Sequence, residues 1–267
     1  RTDGQMSNPA YPKVSIVTPS YNQAAYLAET MRSVLEQDYP NLEYIVIDGG
    51  SSDGSAEIIR GFADRLAYWQ SQPDLGQTDA INQGFARASG DILAWLNSDD
   101  LLLPGAVSAA VRQLQAHPEA GMVYGDALLI NAAGKKIGDF PAAQTDYRKL
   151  RRGYVHIPQQ AAFFRAELWK QVGPLDPGFY FAMDYDLWVR LAAKAPLVYV
   201  PELWAAFRLH GDAKSIAADD RCWPEMLRVH YRDGGKPLAP IVAKYWVRKL
   251  VAPILMRRRK KQLALDE

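Results

Sequence analysis

The sequence has one cysteine and almost no net charge, and these two shortages exclude several classes of protein. Because Cys222 stands alone among the 267 residues, neither an internal disulfide framework nor a cysteine-rich metal site can form. Lys and Arg number 31 against 30 Asp and Glu, which gives a net charge of +1. Nucleic-acid-binding domains carry a strongly basic field, so we expect no nucleic-acid partner.

Long apolar runs are also missing from the sequence. No run reaches the roughly 20 residues that a membrane-spanning helix needs. The first ten residues lack the apolar core of a secretory signal, and we expect Met6 to be the initiator methionine. With the single cysteine, these features predict a cytoplasmic protein.

The common phosphate-binding motifs are absent as well. Residues 48–55 read DGGSSDGS, which has the glycines of a tight turn but not the G-x-G-x-x-G spacing. The pattern G-x-x-x-x-G-K-[ST] occurs nowhere in the chain. A dinucleotide-binding Rossmann domain and a P-loop enzyme are therefore disfavoured.

What the sequence does contain is an alternation of short β-branched runs with segments of helical spacing. The strand-like runs are residues 14–20, 43–50 and 91–96, and the helical segments are residues 24–37, 55–62 and 78–88. Such alternation predicts an α/β fold with a mainly parallel central sheet flanked by helices. Ligands of such sheets bind beyond the carboxyl ends of the strands.

Two adjacent carboxylates, Asp99 and Asp100, lie at one of these strand ends, in the stretch AWLNSDD. Adjacent carboxylates repel each other, so their presence predicts a positively charged partner. A divalent cation bound through oxygen ligands could occupy this position and bridge to the diphosphate of a nucleotide.

Residues 14–55 resemble the opening of the family 2 glycosyltransferases, the large inverting group with the GT-A fold. The segment NSDD lies where that family carries its D-x-D metal motif, and the resemblance runs from Lys13 to Ser215. It implies a nucleotide-sugar-binding half at residues 13–100 and an acceptor-binding half at residues 101–220. A C-terminal basic amphipathic helical extension follows at residues 221–267.

The resemblance also implies roles for individual residues of the first half. Asp99 would ligate Mn²⁺ or Mg²⁺. The implied nucleotide-sugar contacts are Pro19 and Tyr21 at the base pocket, Asp48 at the base edge, Asp53 near the nucleotide, and Asn82, Asn97 and Ser98. Two positions depart from the family pattern: Asn97 replaces the usual first aspartate, and Ile81 stands where many members have arginine.

Two acidic residues, Asp184 and Asp186, lie at a predicted helix start in the second half. Acidic side chains there commonly cap orphan amides and meet the positive end of the helix dipole, so the residues alone leave a catalytic role open. The segment MDYDLW resembles the family motif EDxDLW, which implies that Asp184 is the catalytic base. Asp186 is then a capping or structural acid, with an acceptor contact as its other expected role.

The segment FRLHGDAKS, residues 207–215, contains a lone histidine that by itself is more typical of a surface residue than of a ligand. The family carries a similar segment on a loop over the donor. His210 is then a candidate second metal or diphosphate ligand, and Arg208 and Lys214 are candidate phosphate partners. Gln159 and Gln160 are candidate acceptor-binding residues.

The last segment combines an apolar helical face, which includes Tyr245 and Trp246, with an unbroken basic run at residues 257–261. A terminal helix that packs on its own domain and a helix that binds an anionic membrane surface both fit this pattern. Both remain open, and the second would make the protein peripheral on the inner face of the cell membrane.

The sequence thus predicts a metal-dependent inverting glycosyltransferase of the hexosyl- or N-acetylhexosaminyltransferase class. It would move a sugar from a nucleotide-diphosphate sugar to a saccharide or lipid-linked saccharide acceptor, in bacterial cell-surface polysaccharide or glycoconjugate synthesis. The alternatives are a sugar nucleotidyltransferase and a non-catalytic nucleotide-sugar-binding module. A nucleotidyltransferase should have a Gly-rich, basic loop after the first strand, where this chain reads TPSYNQAAYL.

Overall fold

The computed structural model describes residues 11–140, 142–211, 219–247 and 249. Within them, nine strands form one mixed sheet in the order β3-β2-β1-β4-β8-β6-β9-β5, with β7 paired to β6. The strands β1 to β9 are Val14–Ser20, Leu42–Asp48, Tyr68–Ser71, Ile92–Trp95, Leu101–Leu102, Met122–Ile130, Lys136–Asp139, Ala162–Arg165 and Leu197–Arg208. The helices α1 to α8 are Ala24–Leu35, Ser55–Gly61, Gln77–Arg87, Ala106–Ala116, Tyr147–Leu150, Ala166–Val172, Met183–Ala192 and Asp219–Arg232.

The first four strands form a parallel sheet, as the sequence predicts. β1 pairs with β2 and β4, and β2 pairs with β3, all in parallel. Every residue of β1 is buried, because helices cover both faces of the sheet. Alternate residues of β1 therefore pack into different clusters: Ile16 contacts the one that includes α1 and α4, and Val17 contacts the one that includes α3 and α7.

The second part of the chain extends the same sheet with both strand directions. β8 runs antiparallel to its neighbours β4 and β6, whereas the long strands β6 and β9 are parallel to each other. β5 is only two residues long and pairs antiparallel with β9. This pairing brings the end of β9 beside the turn that follows β4.

The helices agree with the predicted segments to within one or two residues. In the second half of the chain, β8 is followed directly by α6, which ends before Gly173, whose φ of +84° is a conformation that favours glycine. The predicted helix near Asp184 is α7. Among the described residues, no helix is both long and apolar enough to cross a membrane.

Candidate active site

A cavity of about 790 Å³ lies at the carboxyl ends of the parallel strands, where ligands of such sheets bind. The ends of β1 and β4, the turn before α3 and the start of α7 contribute to its wall. Eight residues singled out from the sequence line it: Pro19, Tyr21, Asn97, Ser98, Asp99, Gln159, Gln160 and Asp184. The volume is within the range of small-molecule sites.

The turn after β4 separates its two carboxylates. The amide of Asp100 donates to the Asn97 carbonyl at 3.1 Å, which closes the turn. The side chain of Asp99 lines the cavity and is 18% exposed, and its Oδ2 lies 3.0 Å from Nε2 of His210. Asp100 is fully buried. Only one of the two carboxylates therefore faces the cavity.

The buried carboxylate of Asp100 is bound by protein donors. Its oxygens accept from the Arg208 amide at 2.9 Å, from Nε2 of Gln160 at 2.9 Å and from Nδ2 of Asn97 at 3.3 Å. Burial raises the pKa of Asp100, and the charge of Asp99 raises it further, against the opposing effect of these hydrogen bonds. The repulsion between the adjacent acids is thus relieved partly by amide donors.

A chain of side-chain amides connects this turn to the rest of the cavity wall. Oδ1 of Asn97 accepts from Nε2 of Gln77 at 2.7 Å, and Nδ2 of Asn97 also donates to Oε1 of Gln159 at 3.2 Å. Nε2 of Gln159 donates to the Trp95 carbonyl at 2.7 Å. An aspartate at position 97 could not donate to Asp100 or Gln159, so the asparagine suits this network. The acceptor contacts of Gln159 and Gln160 stay predictions.

Asp99 and His210 are a suitable pair of ligands for a divalent cation. A carboxylate oxygen that faces the cavity and an imidazole nitrogen next to it provide two ligand atoms, and diphosphate oxygens could supply more. No group of three metal-ligating side chains occurs in the part of the chain that the structure describes. The donor set therefore fits a cation that is bound together with its nucleotide.

The first turn of α7 separates a second pair of carboxylates. Asp184 lines the cavity. Asp186 is fully buried, and its carboxylate accepts from Nε of Arg190 at 2.9 Å and from Nη1 of Arg232. The acceptor contact expected for Asp186 is therefore wrong, because both carboxylate oxygens face arginines. The predicted structural role takes the form of an ion-pair cluster, because Asp186 is paired with both Arg190 and Arg232.

Arg208 does not fit its predicted role as a phosphate partner. It is 1% exposed, and its guanidinium donates to the Asp99 and Ala132 carbonyls and to the Glu29 carboxylate. The guanidinium also lies 5.0 Å from the ring centroid of Tyr26. Arg208 instead holds the backbone of the Asp99 turn. The other predicted phosphate partner, Lys214, lies outside the described residues.

Asn82 is a second correction. Its side-chain amide donates to the Leu175 carbonyl and accepts from the Leu175 amide, both at 2.9 Å, and Asn82 does not line the cavity. Because both of its polar atoms bind the backbone of the loop before α7, it links α3 to that loop. Both of its polar atoms are thus engaged by backbone outside the cavity.

Asp48 and Asp53 organise the loop between β2 and α2. The Asp48 carboxylate is fully buried and accepts from the amides of Gly50 and Ser51 and from the hydroxyls of Ser51 and Ser71. Asp53 is partly desolvated, which raises its pKa, but its hydrogen bonds from Ser55 and Ala24 outweigh this and lower the pKa overall. Neither acid lines the cavity, and their nucleotide contacts stay predictions.

Several cavity residues were not identified from the sequence: Trp95, Gln77, Asp74, Tyr180 and Phe181. Burial raises the pKa of Asp74, as do the charges of Asp79 and Asp48, against a hydrogen bond from Gly76. A Cβ on Gly49 would lie 3.0 Å from the Asp74 oxygens, so a larger residue there would crowd this side chain. The two adjacent aromatic residues, one position before the MDYD motif, were the signal available for Tyr180 and Phe181.

The chain is similar to several known glycosyltransferases. The family model described as glycosyl transferase family 2 matches residues 15–172, more than half of the chain. An uncharacterized glycosyltransferase of Mycobacterium tuberculosis is 37% identical over 184 residues, which cover 68% of this chain and 69% of that protein. A PGL/p-HBAD biosynthesis glycosyltransferase of Mycobacterium bovis is 27% identical over 93% of this chain and 96% of that protein.

Two solved structures have a similar fold. Residues 1–349 of Staphylococcus aureus TarS, in complex with UDP-GlcNAc, match with a TM-score of 0.67 at 16% identity, over 88% of this chain and 71% of that one. The mannosyltransferase PcManGT of Pyrobaculum calidifontis, in complex with GDP-Man and Mn²⁺, matches with a TM-score of 0.65 at 23% identity, over 96% and 75%. The chain therefore belongs to glycosyltransferase family 2 and has the GT-A fold.

Proposed function

We propose that this protein is an inverting, metal-dependent glycosyltransferase. It moves a hexosyl or N-acetylhexosaminyl group from a nucleotide-diphosphate sugar to a hydroxyl of a saccharide or a lipid-linked saccharide. The observation that carries the proposal is that Asp99, with His210 beside it, and Asp184 line one cavity at the carboxyl ends of the strands. A binding module has no need for a second carboxylate in the same cavity as the nucleotide site.

Inversion requires one base and no covalent intermediate on the enzyme. The Asp184 carboxylate takes the proton of the acceptor hydroxyl as the hydroxyl oxygen bonds to the anomeric carbon. The bond from that carbon to the diphosphate oxygen breaks on the opposite face, and the electron pair leaves with the diphosphate. Such base assistance contributes about 10²–10⁴-fold to a rate.

The donor end of the cavity holds the leaving group. Asp99 and His210 would hold Mn²⁺ or Mg²⁺, which when bound supplies positive charge where the leaving diphosphate gains negative charge. The polar groups of Asn97 and Gln77 are fixed by their mutual hydrogen bond, so they present a preorganised surface to the ribose or the sugar. Pro19 and Tyr21 provide one wall for the base.

The donor class is supported by the two solved relatives, one in complex with UDP-GlcNAc and the other with GDP-Man and Mn²⁺. In this proposal, residues 13–100 bind the donor and residues 101–220 bind the acceptor. The name of the mycobacterial relative, which refers to PGL biosynthesis, supports a role in cell-surface glycoconjugate synthesis.

The test of the proposed function is a panel of UDP-, GDP- and dTDP-sugars, screened for release of the nucleoside diphosphate in the presence of sugar acceptors. Turnover should stop in excess chelator and return when Mn²⁺ or Mg²⁺ is added in excess of the chelator. Product anomers, followed by proton NMR from the first turnovers, should have the configuration opposite to that of the donor. Full activity in excess chelator, or retained configuration, would refute the metal or the inverting mechanism respectively.

The proposed location is the cytoplasm, at the inner face of the cell membrane, with the C-terminal helical residues 240–247 on an anionic surface. Ile241 is fully buried, whereas Trp246 is 56% exposed, so one side of this helix packs on the domain and another is open. Lys249 lies 5.3 Å from the ring of Trp246 and adds positive charge beside it. Each basic residue near an anionic membrane contributes about 1 kcal/mol.

The basic run at residues 257–261 lies outside the described residues, so the experiment includes it by truncation. Removal of Tyr245 onward should reduce binding to phosphatidylglycerol vesicles at low salt and leave transfer to a soluble acceptor nearly unchanged. Absence of vesicle binding by the intact protein would exclude the membrane location.

A further inference from the structure

One face of α8 contacts the segment that begins α7. Glu225, Arg228 and Arg232 are three and four residues apart, so they lie on the same side of the helix. Each of them binds a different part of residues 178–186, which includes the cavity residue Asp184.

Glu225 binds the backbone directly before α7. Its Oε2 accepts from the amides of Phe181 and Ala182, both at 2.8 Å, and its Oε1 accepts from the Tyr180 amide at 3.1 Å. The N-cap residue of α7, Ala182, has no side chain that could cap the helix. Glu225 instead binds the Ala182 amide and the two amides before it from a different helix, and its charge lies near the positive end of the α7 dipole.

The two arginines bind the same segment before and after the three residues that Glu225 contacts. Nη1 of Arg228 donates to the Gly178 carbonyl at 2.9 Å, and the guanidinium lies 4.7 Å from the ring centroid of Phe179. Arg232 forms an ion pair with Asp186 within α7. The backbone from Gly178 to Asp186 is therefore held at three successive points by a single helix.

The held segment carries an aromatic surface at the edge of the cavity. Tyr180 and Phe181 both line the cavity, their rings meet edge to face with centroids 4.8 Å apart, and Tyr180 is 60% exposed. The cavity residue Asp184 follows three residues after Phe181. An exposed aromatic ring on a fixed backbone is characteristic of a binding surface, since the ring is rigid and combines apolar faces with a polar group.

We infer that Tyr180 and Phe181 form the subsite for the acceptor sugar, and that Glu225 is the positioning residue that holds this subsite and Asp184 in register. The inference rests on the proposed function, because it places the second substrate of that reaction. A pyranose ring has a face of C–H groups that packs on an aromatic ring, with its hydroxyls directed to the edge. A sugar on this surface would lie beside the carboxylate that removes its proton.

A purely structural role for Glu225 makes a different prediction. Met226 and Val229 are almost fully buried and already attach α8 to the core. If Glu225 only stabilised the fold, its loss would lower the melting temperature and would affect donor and acceptor alike. If it positions the subsite, its loss changes the use of the acceptor and leaves donor binding intact.

The experiment compares Glu225→Gln and Glu225→Ala with Glu167→Ala, an exposed acid in the first turn of α6. The probes are UDP-GlcNAc and GDP-Man as donors and p-nitrophenyl hexopyranosides as acceptors. We expect kcat/KM for the acceptor to fall about 10- to 100-fold in Glu225→Ala, as for other misplaced catalytic groups, and less in Glu225→Gln, which keeps one oxygen acceptor. The donor Kd and the Glu167→Ala control should stay within about twofold of wild type.

Tyr180→Ala removes the ring of the subsite but keeps the backbone amide that Glu225 binds. It should raise the acceptor KM, and combined with Glu225→Gln it should cost less than the product of the two single effects, because both act through one surface. Equal loss of donor and acceptor binding in Glu225→Gln, or an unchanged acceptor KM in Tyr180→Ala, overturns the inference. A wild-type protein that transfers no sugar from any donor of the UDP-, GDP- and dTDP-sugar panel would instead refute the proposed function, and the inference would fail with it.

Discussion

The turn after β4 and the first turn of α7 each separate two neighbouring acids, but they bind the buried acid with different partners. Each contains two acids close in sequence, and in each one carboxylate lines the cavity while the other is fully buried: Asp99 and Asp100 in the turn, Asp184 and Asp186 in the helix. Side chains one or two residues apart point in different directions in both structures. Local geometry thus selects which acid can meet a substrate.

The difference lies in what binds the buried member. Asp100 has only dipolar donors, namely a backbone amide and two side-chain amides, and burial beside Asp99 raises its pKa. Asp186 has the full positive charges of Arg190 and Arg232. The buried acid beside Asp99 is therefore bound by dipoles alone, whereas the buried acid beside Asp184 is paired with two formal charges.

The largest effect should follow from removing the proposed base, Asp184. Asp184→Asn keeps the size of the side chain but cannot accept the acceptor proton, so kcat should fall by at least about 10²-fold. Donor binding, measured by calorimetry with Mn²⁺ present, should change little, because the base acts in the transition state. If Asp184→Asn stays active in a well-folded protein, the base has been assigned to the wrong carboxylate.

Loss of Asp99 should, by contrast, weaken nucleotide binding as well as turnover. Asp99→Ala removes the carboxylate beside His210, so nucleoside diphosphate should bind no better with Mn²⁺ than without it, and turnover should fall by about 10²-fold, as for other groups that stabilise developing charge. Titration calorimetry of UDP and GDP with and without Mn²⁺ measures this. A metal-dependent affinity equal to that of wild type would contradict the assignment.

The buried acid of the acceptor end should affect stability before chemistry. Asp186→Asn leaves two arginines without their counter-charge, and breaking a buried ion pair costs about 3–5 kcal/mol. Since Arg190 and Arg232 are partly exposed, we expect about 3 kcal/mol in urea unfolding. The matched control is Glu57→Gln, which breaks an exposed pair with Arg60 and should change stability by about 0.5 kcal/mol or less.

These contacts also explain how much of the molecule could be predicted from its sequence. The parallel strands and the helix at Asp184 follow from local periodicity, and the family resemblance placed Asp99 and His210, which the structure brings within 3.0 Å. The same resemblance made Arg208 a candidate phosphate partner, but its actual partners Glu29 and Ala132 are far away in sequence.

The contacts of Glu225 with the segment before α7 were not predicted from the sequence, for the same physical reason. Its three hydrogen bonds reach backbone amides more than 40 residues away, and a backbone amide has no residue type that a pattern could show. Asn82 is another case, because both of its polar atoms bind the backbone of Leu175, which is 93 residues away. Long-range bonds to backbone decide which polar residues are free for ligands, and a single sequence does not display them.

A fourth buried carboxylate, far from the cavity, offers a further check on the comparison. Glu43 on β2 forms an ion pair with Lys13 at 2.7 Å and accepts from the hydroxyls of Ser15 and Ser89 and the Ser89 amide. Burial acts to raise its pKa, but Lys13 and these hydrogen bonds outweigh burial and lower the pKa from 4.5 to about 2. A cation together with hydrogen bonds thus lowers the pKa of Glu43, whereas the pKa of Asp100, bound by amides alone, is raised.

The consequence for stability has a definite sign. Between pH 4.5 and about 2 the unfolded chain binds a proton at Glu43 that the folded protein does not, so this acid's contribution to the free energy of unfolding is complete above pH 4.5 and is lost as the pH falls through that window. We expect Glu43→Gln to be less stable than wild type at pH 7, and the gap to narrow steadily from pH 5 to pH 2. Urea unfolding at intervals of half a pH unit measures it, and Glu57→Gln serves again as the exposed control. A gap that stays constant with pH would show that hydrogen bonding alone, without the charge of Glu43, holds Lys13 and the serines in place.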